Sequence, residues 1–209
     1  MKVLSRSLAL IAAIAVSTAA CNDDTLGPDS SPDFVRGGNP QPELPTIVDV
    51  VLTDDGEFDV LETLVIRSGL AGELSGNRPY TVFAPTDAAF GGLFDFLDVP
   101  GMTPEEQADN LCPEATGCPG FVTTTLLYHV VNGRRYSNSV LGAEQLRTQI
   151  GDFVYPDGAT LNTSCEQIDN SATIITAEQG ATFDVLASNG VIHAIDAVML
   201  PAEVCDALL

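Results

Sequence analysis

Basic residues are scarce in this sequence. Of its 209 residues eight are Lys or Arg against 29 Asp or Glu, a formal net charge of −21. The one lysine is Lys2, and beyond Arg6 the chain holds six arginines. A surface of this sign repels a phosphate backbone, which nucleic-acid binding has to neutralise with basic side chains. It also disfavours direct attachment to an anionic bilayer. Solubility is the simplest use of such a charge; a saline habitat, a divalent cation or a basic partner would suit it as well.

Histidine is nearly missing, with only His129 and His193 present. No HExxH, no GxSxG, no CxxC and no glycine-rich phosphate loop ahead of a helix occurs. Those patterns place zinc ligands, a serine nucleophile or phosphate-binding amides where the chemistry needs them. Their absence leaves no recognisable nucleophile–base spacing. The expectation is therefore no enzyme, no cofactor and no metal site. The acidic stretch "DDGEFD" lacks the alternating oxygen ligands and distal Glu of a calcium loop, and suits a helix N-terminus on dipole grounds. Binding of calcium or a small molecule is kept as an alternative function, and a hydrolase using Tyr128, His129 and an Asp as a weaker one.

Long apolar runs are missing too. Leu8–Val16 is nine residues, well short of the roughly 20 that span a bilayer. Charged residues before it and small residues after it make residues 1–20 an export signal. "STAAC" resembles a bacterial lipobox, with Thr18 where Leu is usual, and marks Cys21 for lipidation. Residues 21–45 carry five prolines and few large apolar groups, which is the composition of a tether. The expected location is the cell envelope, at the outer membrane or cell surface, with the lipid as the only membrane contact; secretion is the alternative.

Setting Cys21 aside leaves Cys112, Cys118, Cys165 and Cys205, an even number in an oxidising compartment. Of the three pairings, Cys112–Cys118 and Cys165–Cys205 are favoured. The first brackets the turn-forming "PEATG", and the second pins the C-terminal tail, residues 204–209, to a domain over residues 46–203.

Within that domain, Phe58, Leu61, Leu64 and Val65 have helical spacing, and Gly69 reads as a stop. "PYTVFAP" reads as a strand and Thr86 as the cap of the following helix. Thr103, Pro104 and Glu106 form a capping-box signature. "GFVTTTLLYHVV" predicts a short helix running into a strand near His129. Strands are predicted around Val140, at Leu146–Ile150, Phe153–Tyr155, Thr160–Asn162, Thr173–Thr176, Thr182–Val185 and Val191–Leu200. Helices first and strands later make an α+β domain. In the last strand Val191, His193, Ile195, Ala197 and Met199 share one face. Ile192, Ala194, Asp196, Val198 and Leu200 share the other. Both faces are apolar, as in a covered central strand, so His193 is expected to hydrogen-bond a backbone carbonyl or a nearby polar side chain.

"YTVFAPTDAAF", "LLYHVVNG" and "SNGVIHAIDAVMLP", in this order, resemble the fasciclin domain. The resemblance covers nearly all of residues 46–201. It implies a wedge-shaped β-sheet core flanked by helices and a role in adhesion or in binding surface or matrix proteins or polysaccharides. Structural motif positions would be Thr81, Phe83, Pro85, Thr86, Asn189, Gly190, His193 and Asp196. The Tyr128–His129 pair matches a segment that animal members use in adhesion, which implies partner binding there. Two departures stand out: a cysteine-bounded insertion at Asn110–Gly120, and Asn132 where the family often has proline.

Overall fold

The computed structural model describes residues 44–53, 56–98, 102–165, 171–175 and 184–208. The export signal, Cys21 and the tether as far as Glu43 lie outside the described residues. Eight helices and two four-stranded sheets are found among the described residues, the α+β class expected.

Local chemistry accounts for the helix starts. The first helix, α1 (Ile47–Val51), begins at a capping box in which Thr46 and Asp49 satisfy each other's amides. Helix α2 (Asp59–Arg67) turns Val60, Leu61, Leu64 and Val65 inward, and Gly69 leaves it at a φ of +75°, a conformation that favours glycine. After the single turn α3 (Ala71–Leu74), strand β1 (Tyr80–Pro85) is buried along its whole length. Thr86 caps α4 (Asp87–Phe96) and the Thr103–Glu106 box caps α5 (Pro104–Leu111). Helix α6 (Gly120–Tyr128) runs into β2 (Val130–Asn132), and α7 covers Ser137–Leu141. Short strands follow: β3 (Leu146–Arg147), β4 (Phe153–Asp157), β5 (Thr160–Asn162), β6 (Ala172–Thr173), β7 (Val185–Ala187) and β8 (Gly190–Ile195). The last helix is α8 (Ala202–Leu208).

The first sheet has the order β2-β1-β8-β7, with β1 and β8 parallel, and the second the order β3-β4-β5-β6. Single bridges join them: Val131 to Thr148 and Ile174 to Ile195. Alternation along β1 and β8 then separates two cores. Val82, Ala84 and Ile192 pack with Leu64, Phe90, Val122 and Val204 against the helices. Phe83 and Ile195 pack with Leu146, Val154, Leu161 and Met199 between the sheets. The central position of β8 explains why both of its faces are apolar. Gly190 lies so near Ile47 and the Tyr80 carbonyl that an added Cβ would overlap both.

Four expectations need correction. Val140 lies in a helix, because the carboxylate of Asp184 accepts from the Ser137 amide at 2.6 Å and from its hydroxyl at 2.9 Å, starting a turn there. The strand at Leu146 ends after Arg147, where the Thr148 amide and hydroxyl both donate to the Asp152 carbonyl and close a turn. Strand β8 stops at Ile195, and Asp196 beyond it accepts from the Thr173 amide at 2.6 Å. Finally, residues 204–208 are part of the last helix and not a tail. Val204 and Cys205 are buried in α8, and all the described residues belong to one unit, Pro40–Leu209.

Both favoured disulfides are formed, Cys112–Cys118 after α5 and Cys165–Cys205 from the loop after β5 to α8.

Candidate functional site

The two histidines of the motif segments serve the interior. His193 is 1% exposed and stacks on Phe83 at a centroid distance of 5.7 Å. Its Nε2 lies 2.9 Å from the Arg135 carbonyl oxygen. A carbonyl only accepts, so Nε2 carries the proton. Nδ1 is then left buried without a hydrogen-bond partner, 3.7 Å from Oδ1 of Asp184. Burial lowers the pKa of His193, opposed by the Arg135 carbonyl and the Asp184 charge. Ser137 is nearby, but its hydroxyl donates to the Asp184 carboxylate. These three side chains therefore make no serine–imidazole pair of the kind that activates a nucleophile.

His129 is likewise 3% exposed. Nδ1 faces the Thr125 carbonyl at 2.7 Å and Nε2 accepts from the Met199 amide at 3.0 Å. The pair of bonds requires a neutral ring protonated on Nδ1. Burial pushes its pKa down to about 4. Tyr128 is fully buried, its hydroxyl donating to the Phe153 carbonyl at 2.8 Å and accepting from the Ser164 amide at 3.2 Å. The partner contact expected at Tyr128 and His129 is thus corrected. Both side chains are turned into the core and have no face to offer.

The remaining motif residues behave similarly. Thr81 donates to the Gly133 carbonyl at 2.7 Å and accepts from the Arg135 amide at 2.8 Å. Asn189 accepts from the Ile47 amide and donates to the Leu74 and Gly76 carbonyls. Thr86 caps α4, and its own amide donates to the Ile195 carbonyl. Pro85 ends β1 at the wall of an apolar cleft that Leu93, Phe121, Val198 and Val204 also line. That cleft has a volume of about 50 Å³, far below the roughly 300 Å³ at which ligand pockets begin.

A larger concavity lies at the seam of the two sheets, beside the Val131–Thr148 bridge. It has a volume of about 400 Å³ and is lined mainly by Asn132, Arg135, Arg147, Thr148 and Gln149. Among the described residues no acidic side chain lines it. Two motif residues hold the Arg135 backbone from behind: Thr81 takes its amide and His193 its carbonyl. The Arg147 guanidinium lies over Gly151, where a Cβ would stand 3.6 Å from Nη2. Neither Arg135 nor Arg147 has an ion pair among the described residues. Arg134, by contrast, donates to the Ser188 carbonyl and Arg67 pairs with Asp109 at 2.6 Å. Local motif reading missed this pocket, because its residues come from separate elements. The available signal was the clustering of Arg134, Arg135 and Arg147 in a chain so poor in basic residues.

Comparison with known proteins rests on the same segments. Residues 56–201 match the Fasciclin domain. The chain belongs to the fasciclin domain family. It is 36% identical over 158 residues to protein sll1483 of Synechocystis sp., covering 75% of this chain and 73% of that protein. A second Synechocystis sp. protein, sll1735, is 31% identical over 160 residues, covering 75% and 98%. Among solved structures, the FAS1 domain pair of the insect cell adhesion molecule fasciclin I superposes with a TM-score of 0.54 at 16% identity, covering 77% of this chain and 52% of that one. At that identity the likeness is one of fold.

Both departures from the family pattern have structural uses in this fasciclin domain. Oδ1 of Asn132 accepts from Nε2 of Gln149 at 3.1 Å, tying the edge of the first sheet to the turn that lines the pocket; proline could not. In the insertion, the Cys112 carbonyl accepts from the Arg67 guanidinium at 2.8 Å, which fastens the disulfide loop to α2.

Proposed function

We propose that this fasciclin domain is an exported interaction module that binds a cell-surface or matrix molecule, held at the envelope by a lipid on Cys21 or otherwise secreted. The observation that carries the reading is the inward use of the motif residues. Tyr128, His129, Thr81 and Asn189 spend their polar atoms on backbone partners, and His193 gives its Nε2 proton to one, so recognition is left to the exposed surface around a braced scaffold. Family membership and the adhesion role named for the insect relative support it. Two disulfides agree with an oxidising compartment. Among the described residues no assembled nucleophile and base favours catalysis.

The test is sedimentation of the purified full chain with envelope and matrix material. Saturable retention is the expected result, and recovery of all the protein in the supernatant at every concentration would reject the reading. For the anchor, Cys21→Ala should move the protein from the membrane fraction to the soluble one. Persistence in alkali-washed membranes would remove the lipid from the account.

A further inference from the structure

We propose that the pocket at the sheet seam is a binding site for a carboxylate-bearing saccharide, with Arg135 and Arg147 taking the carboxylate and Asn132 and Gln149 the hydroxyls. The proposal rests on the reading that the domain binds a surface or matrix molecule, and names the place and the chemical class.

Charge placement is the first ground. With 29 acidic and eight basic residues, a cavity of about 400 Å³ lined by two arginines and, among the described residues, no carboxylate runs against the sign of the chain. Of the five described arginines only Arg67 has an ion pair among the described residues, and two of the other four line this one cavity. Two arginines lining one cavity suit an oxyanion, and guanidinium–carboxylate bonds are the stronger, charge-assisted kind.

Positioning is the second. Arg135 is anchored by two side chains that are themselves almost wholly buried, Thr81 and His193. Arg147 sits on β3, in register with Phe153 of β4. The guanidiniums therefore rise from backbone that is held on both sides of the seam. Such support lowers the ordering cost of binding.

Lining chemistry is the third. Beside the arginines stand two primary amides; with Nε2 of Gln149 given to Oδ1 of Asn132, the pair still offers the Asn132 Nδ2 donor and the Gln149 Oε1 acceptor. A simple inorganic anion would need only donors. A ring with hydroxyls next to a carboxylate uses both kinds, and the volume lies within the range of small-ligand pockets.

The experiment is calorimetric titration of the full chain with a hexagalacturonate, a neutral galactose oligomer of equal length, and sodium sulfate. The variants are Arg135→Gln, Arg147→Gln and, as control, Arg78→Gln. Both pocket arginines are exposed and make no side-chain bond that the fold depends on, so melting temperatures should stay within a degree or two. The expected result is binding of the uronate oligomer, no heat from the neutral one, and about tenfold weaker binding for each pocket variant. Arg78→Gln should bind as the parent. Uronate binding that is unchanged in both pocket variants would overturn the proposal. So would sulfate displacing the oligomer at equal molarity, which would leave a plain oxyanion site. Pocket variants that lose the oligomer yet still sediment with matrix would support the saccharide site while putting matrix retention on another surface, so the failure of either reading is seen separately.

Discussion

The side chain of Asn189 accepts the amide hydrogen of Ile47 at 2.8 Å, across 142 residues of sequence. Its amide nitrogen donates to the Leu74 and Gly76 carbonyls at 2.7 and 2.9 Å. One buried side chain thereby joins the start of α1, the end of α3 and the turn before β8. Asn189→Ala leaves three backbone groups without these partners, and each unsatisfied buried group costs roughly 1–3 kcal/mol. With water reaching the partly buried Gly76 end, the expected loss is about 3 kcal/mol, read from urea midpoints. A loss below 1 kcal/mol would show that the three elements are held by packing alone.

Stability should fall on mild acidification. His129 has a folded pKa of about 4 against an ordinary 6.5, so between those values the unfolded chain binds the extra proton. Stability then rises with pH through that window. The contribution is fully present above pH 6.5 and is lost as the pH falls towards 4, amounting to about 2 kcal/mol by pH 5. His193, also lowered by burial, acts in the same direction. Asp49, which its hydrogen bonds with Thr46 hold below 3.8, titrates outside the window. Denaturant midpoints at pH 7.5 and pH 5 give the measurement, and equal values would contradict the buried neutral state of His129.

Removing the Tyr128 hydroxyl tests the same interior from another side. Tyr128→Phe deletes the donor to the Phe153 carbonyl and the acceptor for the Ser164 amide, at a cost of about 1–2 kcal/mol. Because the ring is fully buried, retention on envelope or matrix material should not change in the folded variant. Lost retention without lost stability would return Tyr128 to the contact surface.

The two disulfides should differ in worth. Cys165–Cys205 closes a sequence separation of 40 and Cys112–Cys118 one of six. Loop-closure entropy gives about 4 kcal/mol for the first and about 2 for the second. Paired Cys→Ser variants, followed by thermal melting under matched conditions, should keep that order. The reverse order would mean that the short loop does more than limit the unfolded chain.

Signals confined to a few neighbouring residues were legible in the sequence. Thr103, Pro104 and Glu106 announce α5, Thr86 announces α4, and the alternation in "GVIHAI" announces a covered strand. Face assignment survived even where the strand ended early. Met199 still belongs to the inter-sheet core with Ile195, and Val198 and Leu200 to the helical one. What local pattern could not convey was tertiary substitution. Val140 has strand preference, yet the Asp184 carboxylate, 47 residues away from Ser137, starts a helix there. The Arg135–Arg147 pocket exists only because Val131 bridges Thr148, a pairing with no trace in either segment alone. Sequence shows Tyr128 and His129 as a polar pair without showing that backbone atoms of Phe153, Ser164, Thr125 and Met199 take up their polar atoms.

The outer strands of both sheets are very short. β2 and β7 have three residues each, and β3 and β6 two each. Among the described residues, a fifth strand offered by a neighbouring molecule would find an edge only two or three residues long to pair with, too few to template strand addition. A protein concentrated side by side with its own kind on a surface is exposed to that hazard more than a dilute one. Brevity at the margins lets this domain be crowded without being polymerised.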